Sequence, residues 1–155
     1  LPEAHFDAIT MTHVIEHLHD PMDTLRRCWK LLKPGGQITV TTPNLNSRGH
    51  QIFGADWLAL DPPRHLILFT EASLRMAMEN CGFAVSRPPR PSLKAQDLFH
   101  SSFCLQLAGK DKRRGCDLPW PLKLRKKWLA TQADRATRSN PALAEEAVLL
   151  GKKPA

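Results

Sequence analysis

A threonine, two histidines and a glutamate crowd into Thr12, His13, Glu16 and His17, just after an apolar run that begins at Phe6. An imidazole titrates near neutral pH, so such a cluster can exchange protons or hold a ligand. His13, Glu16 and His17 stand at i, i+3 and i+4, which places them on one face if this crest is helical. The run before them reads as a strand. In open α/β sheets, ligands bind beyond the carboxyl ends of the strands.

The elements that must position these groups are well punctuated. The spacing predicts a strand over Phe6–Met11, with so little polar alternation that cover on both faces is expected. Asp20 is a natural N-cap and Pro21 suits the first helical position. Met22, Leu25, Trp29 and Leu32 then recur at three or four residues, forming one apolar stripe. Lys33-Pro34-Gly35-Gly36 is expected to stop that helix and turn the chain into a second, β-branched strand, Gln37–Thr42. Together these make one βαβ crossover. Pro43 to Pro63 reads as irregular. Thr70 caps a helix over Glu71–Cys81, Gly82 ends it, and Phe83–Ser86 and Glu146–Lys152 read as further strands. Between them, Arg87 to Asn140 is the least regular stretch, with a charged loop at Lys110–Gly115 and one helix over Pro121–Arg138.

The chain has 155 residues, enough for one domain with its own core. No apolar run approaches the roughly 18 residues of a membrane span, and the start shows no signal-peptide pattern. The chain does not begin with Met, which points to a processed or excised piece. Cys28, Cys81, Cys104 and Cys116 lack metal-ligand spacing, and reduced thiols in a cytoplasmic protein are expected. The net charge is +7, but 13 Lys/Arg against 4 Asp/Glu between Arg87 and Arg138 concentrate +9 there. A basic segment of this kind is a solvated face or a docking surface for an anionic partner.

The segments FDAITMTHVIEHLHDP, LRRCWKLLKPGGQITVTTPN, WLALDPPRHLILFTEASLRMAMENCGF and EEAVLLGKKP, in this order, resemble the C-terminal half of class I S-adenosylmethionine-dependent methyltransferases. The nearest resemblance is to the group containing the ubiquinone-biosynthesis O-methyltransferases. It implies a Rossmann-like three-layer α/β sandwich whose strands here are the fourth to seventh, ordered 4-5-7-6, with the last antiparallel. It also implies a partial domain over 1–155: a core over 1–86, a basic insert or cap over 87–140, and a closing strand over 141–155. The family's glycine-rich loop and ribose-binding acid precede the fourth strand. Gly35-Gly36 cannot replace them, because a phosphate loop follows a strand and opens a helix. One wall of the cofactor crevice is therefore expected, and a fragment that is inactive alone.

By the same resemblance, S-adenosylmethionine is the cofactor, and Met11, Thr12, His13 and His17 line its methionine end. His13 or His65 is the expected general base on an acceptor hydroxyl. The expected reaction is O-methylation of a small-molecule or glycan-like acceptor. Some relatives, small-RNA 2′-O-methyltransferases among them, hold a divalent metal on a Glu-x-x-Glu-His cluster plus a distant His. Here His13 replaces the first Glu, which disfavours a hard cation, and no metal ligand is assigned. Asp61-Pro62-Pro63-Arg64-His65 is stiffened by its prolines. Arg64 pairs either with an anionic acceptor or with a neighbouring acid, while Trp57 is expected in the core.

The helix near Trp120–Trp128 interleaves aromatic and basic residues. It is expected to cap the cleft, with Leu122, Leu124, Trp128 and Leu129 inward and Lys123, Lys126 and Lys127 in water. Peripheral contact of 120–138 with an anionic membrane is the next reading, and nucleic acid is less favoured. The rival to an enzyme is a non-catalytic module docking on RNA or membrane through this segment. A nicotinamide dehydrogenase fits poorly, since it would want another parallel strand where a lone closing strand stands. Finally, the first strand expects a partner on each side, and self-association through its bare edge is expected.

Overall fold

A computed structural model describes residues 2–89, 92–93, 95–108 and 116–155. The charged loop at Lys110–Gly115 lies outside the described residues. The chain runs β1 (Phe6–Thr12), α1 (Pro21–Leu31), β2 (Leu32–Pro43), α2 (Arg48–Phe53), α3 (Glu71–Asn80), β3 (Ala84–Ser86), α4 (Ala95–Ala108), α5 (Trp120–Ser139) and β4 (Glu146–Lys152). The crest after β1 is a short 3-10 turn, Ile15–His17.

The strands form one sheet in the order β1-β2-β4-β3. β1 and β2 are parallel, with Met11 opposite Val40 and Thr12 opposite Thr41. β4 lies antiparallel between β2 and β3, as expected of a closing strand. Buried and open residues alternate along β2, with Ile38, Val40 and Thr42 inward. Ala147, Leu149 and Gly151 do the same on β4. Gly151 permits the close fit: a Cβ there would meet Met78 Cε at 2.7 Å and Ile38 Cγ2 at 2.9 Å.

Local chemistry shapes the helices. The Asp23 amide donates to Asp20 Oδ1 at 2.8 Å, closing the N-terminus of α1. Thr70 and Ser73 form a reciprocal capping box on α3. Leu25 from α1, Leu74 and Met78 from α3, and Ile38, Val40 and Leu149 from the sheet share one core. A second core gathers Phe53, Trp57, Phe99, Phe103, Leu118 and Ala130 from α2, α4, α5 and the connecting segments.

Four expectations need correction. The Lys33-Pro34-Gly35-Gly36 stretch lies within β2, as an irregularity where the register jumps between Phe6 and Ala8. Its turn is kept by Gly35, at φ 78°. Second, β1 is not covered on both faces: Ile9 and Met11 turn inward while the alternating Ala8, Thr10 and Thr12 are exposed, and β2 is its one partner strand among the described residues. Third, Cys104 and Cys116 form a disulfide, while Cys28 and Cys81 are free thiols. The pairing follows from tertiary packing, which brings the end of α4 against the segment leading into α5, a proximity that cysteine spacing does not encode. Fourth, Leu124 and Trp128 are exposed rather than inward. Ala130, Ala133 and Thr137 form the buried side of α5 instead, because small residues let α5 approach α4 closely. No described helix is long and apolar enough to cross a membrane.

Candidate functional site

β1 delivers its last residues to the carboxyl end of the sheet. The His13 amide donates to Thr41 O at 2.9 Å, extending the ladder by one bond. His13 itself has φ 50°, in the left-handed region that non-glycine residues seldom occupy. Its ring lies between two carboxylates: Nε2 is 3.0 Å from Glu146 Oε1, and Nδ1 is 3.3 Å from Glu16 Oε1. Hydrogen bonding to Glu146, then the contact with Glu16, raises the imidazole from its ordinary 6.5 to about 9, against the opposing effect of burial. At neutral pH, His13 is therefore an imidazolium that donates from Nε2 to Glu146 and pairs through Nδ1 with Glu16.

Glu16 is fully buried. Burial pushes its carboxyl up, but the His13 ring, backbone hydrogen bonding and the Thr42 hydroxyl outweigh that and hold it below the usual value. Thr42 Oγ1 donates to Glu16 Oε2 at 2.9 Å, whereas Oε1 has no well-formed hydrogen bond. The Glu16 carbonyl accepts from the Leu66 and Ile67 amides at 2.8 and 3.2 Å, which fastens the distant Asp61–His65 segment to the crest.

That segment brings His65 into the site. His65 Nδ1–H donates to Ala59 O at 2.8 Å, and His17 Nδ1–H donates to Arg64 O at 2.8 Å. A carbonyl can only accept, so each ring carries a proton on Nδ1, and in the tautomer this selects Nε2 is the accepting nitrogen. The two rings meet edge to face, with centroids 4.8 Å apart. His65 Nε2 is 3.9 Å from Glu16 Oε1. One ligating atom each from Glu16, His17 and His65 lies within 4.8 Å of the others. These three could hold a divalent ion, and two imidazoles with one carboxylate suit a zinc-like ion better than magnesium.

A cavity of about 590 Å³ opens beside this cluster, walled by His13, Pro43, Ala59, Arg64, His65 and Leu98. A neighbouring space of about 220 Å³ adds Asp97, Glu145 and Glu146. Of the residues named from sequence, the structure gathers Thr12, His13, Glu16, His17 and His65 at one end of the sheet. Met11 is there by its backbone; its side chain belongs to the core. Arg64 forms an ion pair with Asp61. Trp57 is a core residue whose Nε1 donates to Glu145 Oε2 at 3.1 Å.

Glu146 and Asp97 escaped the sequence reading. Glu146 Oε2 also accepts from Ser92 Oγ at 2.5 Å, so this one carboxylate ties His13 to the segment before α4. The available signal was the acid pair Glu145-Glu146 opening β4. Alternation sends the two to opposite sides, and an antiparallel closing strand begins where the parallel strands end.

A Rossmann-like sheet with an ionisable cluster beyond its strand ends defines an α/β methyltransferase fold. Solved structures agree. A methyltransferase from Thermotoga maritima, described as S-adenosylmethionine-dependent and a possible histamine N-methyltransferase, superposes with a TM-score of 0.57 at 16% identity, over 99% of this chain and 58% of that one. The cyclase SpnF superposes at 0.56 with 19% identity, over 100% of this chain and 52% of that one. At such identities the likeness is one of fold. In sequence, residues 2–87 match the family described as methyltransferase domain, more than half of the chain. The chain belongs to that family, the class I S-adenosylmethionine-dependent methyltransferases. A ubiquinone biosynthesis O-methyltransferase from Pseudomonas putida is 38% identical over 66 residues, which are 41% of this chain and 28% of that protein. The chain spans about half the length of these solved structures, and the match covers little more than a quarter of that curated relative.

Proposed function

We propose that this chain forms the acceptor-side wall of an enzyme that transfers a methyl group from S-adenosylmethionine to a hydroxyl of a small-molecule or glycan-like acceptor. The observation that carries this reading is the His65 tautomer. Its Nδ1 proton is held by the Ala59 carbonyl, which leaves Nε2 as the accepting nitrogen of a ring that lines the cavity. An acceptor hydroxyl beside Nε2 can surrender its proton there as the oxygen becomes the nucleophile. His13 is unsuited to that role. It already holds its proton at neutral pH, and its charge is balanced by Glu16 and Glu146. Its place is to brace the strand end and keep Glu16 ionised under His65.

The cofactor supplies an electrophilic methyl when bound. The residues present fit one side of it: Thr12 is exposed at the end of β1, and His13 walls the cavity. Thr12, the backbone at Met11 and His13, and the His17 ring would hold it. Among the described residues nothing pairs with the outer edge of β1. We therefore expect this chain alone to bind cofactor weakly and to turn over little or not at all.

Calorimetric titration of S-adenosylhomocysteine into this chain and into a longer protein that contains it tests the divided pocket. Equal affinity in both would refute it. In the longer protein, transfer of labelled methyl to a panel of phenols and sugars tests the chemistry. His65→Gln should lower kcat by about 100-fold or more with cofactor affinity retained. An unchanged rate, or label recovered on nitrogen alone, would remove the assigned base and reaction.

A further inference from the structure

The outer face of α5 departs from a well-sorted surface. Trp120, Leu124 and Trp128 are 72, 50 and 62% exposed. Steps of four residues drift by only about 40° around a helix, so the three form one continuous stripe. Leaving them in water forgoes the free energy of burying apolar surface. The opposite side of α5 is already satisfied against α4 through Ala130 and Ala133.

The surroundings of the stripe are cationic. Helix α5 carries six Lys/Arg (Lys123, Arg125, Lys126, Lys127, Arg135 and Arg138) and one acid, Asp134. Lys123 and Lys127 flank the stripe, while half-buried Lys126 lies toward α4, and the three line a groove of about 430 Å³ with Gln96 and His100. Lys123 is engaged by Asp117 at 2.6 Å. Lys126 and Lys127 have no carboxylate partner among the described residues.

We infer that α5 docks flat on an anionic lipid bilayer, with Trp120, Leu124 and Trp128 entering the interface and the flanking Lys123 and Lys127 receiving lipid phosphates. Two indoles flanking an aliphatic side chain match the headgroup boundary, where an apolar body and a polar N–H are both accommodated. A row of lysines alongside adds attraction to anionic headgroups. Base stacking in single-stranded nucleic acid would use the indoles but leave Leu124 without a role. This inference is independent of the reaction assigned above.

The test is flotation of the full chain with vesicles of phosphatidylcholine alone and of equal parts phosphatidylcholine and phosphatidylglycerol. Mixed vesicles should bind about tenfold more tightly or better. Brominated phosphatidylcholine included in the mixed vesicles should quench the tryptophan emission. Trp120→Ser with Trp128→Ser should abolish flotation while the circular dichroism spectrum stays unchanged. Lys123→Glu with Lys127→Glu should remove the preference for the anionic vesicles. Equal binding to both vesicles, flotation by the tryptophan double variant, or binding of poly-uridylate in preference to mixed vesicles would each overturn the inference.

Discussion

The two cores of this molecule are built on different rules. The sheet core joins β1, β2, β4, α1 and α3 through aliphatic side chains that alternate along strands or recur along helices. The α4–α5 annex is packed by aromatics: the Phe53 ring meets Phe99 and Phe103 edge-on, each at 5.0 Å. A disulfide closes the annex where the sheet relies on its ladder. The candidate site lies along the seam, with His13 and Glu16 from the sheet side and Asp97 and Leu98 from α4. One side of the cleft is thus anchored to the ladder, while the other rests on a helical pair that can be loosened separately.

Truncating each core should separate them most clearly. Leu149→Ala is expected to cost about 2–5 kcal/mol, and Phe99→Ala about 3–5 kcal/mol, since both side chains are fully buried. Hydrogen exchange should show Leu149→Ala weakening every strand. Phe99→Ala should expose α4 and α5 first. Uniform loss in both variants would mean one cooperative core rather than two.

Glu145 tests the joint between them. It is buried, accepts from the Gly49 amide at 2.7 Å and from Trp57, and burial raises its carboxyl from 4.5 to about 7. A carboxyl raised by folding favours the native state most below its unfolded pKa. Stability from this group should fall as pH rises from 4.5 through 7, by on the order of 3 kcal/mol. Urea midpoints across that range should show the fall, and Glu145→Gln should flatten it. His13 acts in a later window: its raised pKa stabilises the fold below 6.5, and that contribution fades as pH passes 9.

Reducing the Cys104–Cys116 bond, whose cysteines stand 12 residues apart, should cost about 2–3 kcal/mol. The loss should appear in α4 and α5 exchange and leave β2 protected. The smallest effect concerns the sheet side. Asp20→Ala removes the cap of α1 and should cost about 1 kcal/mol, read as a shift in the urea midpoint without a change in slope.

Much of the sheet half was legible residue by residue. Asp20-Pro21 and the Met22–Leu32 stripe mark α1 to within a residue, Thr70 and Gly82 bracket α3, and β4 spans the expected Glu146–Lys152. These elements bury one face each, so their periodicity survives in the sequence. α4 was not legible, because apolar residues sit on several sides of it: Leu98, Leu105 and Leu107 lie off the buried set. The four-residue spacing of Ala95, Phe99 and Phe103 was the available signal. On α5 the hydrophobic pattern misled in part: Leu122 and Leu129 pack inward with Ala130 and Ala133, while Leu124 and Trp128 face outward.

The order of residues alone settled the crossover, the closing strand and the cluster at the end of β1, because caps, prolines and period-two alternation act over a few residues. Only the folded chain could decide that Glu146 reaches His13 across 133 positions, that the Ala59 and Arg64 carbonyls choose the histidine tautomers, and that two cysteines meet. Proton position and charge depend on what surrounds a group in space, and that neighbourhood is assembled from segments far apart along the chain.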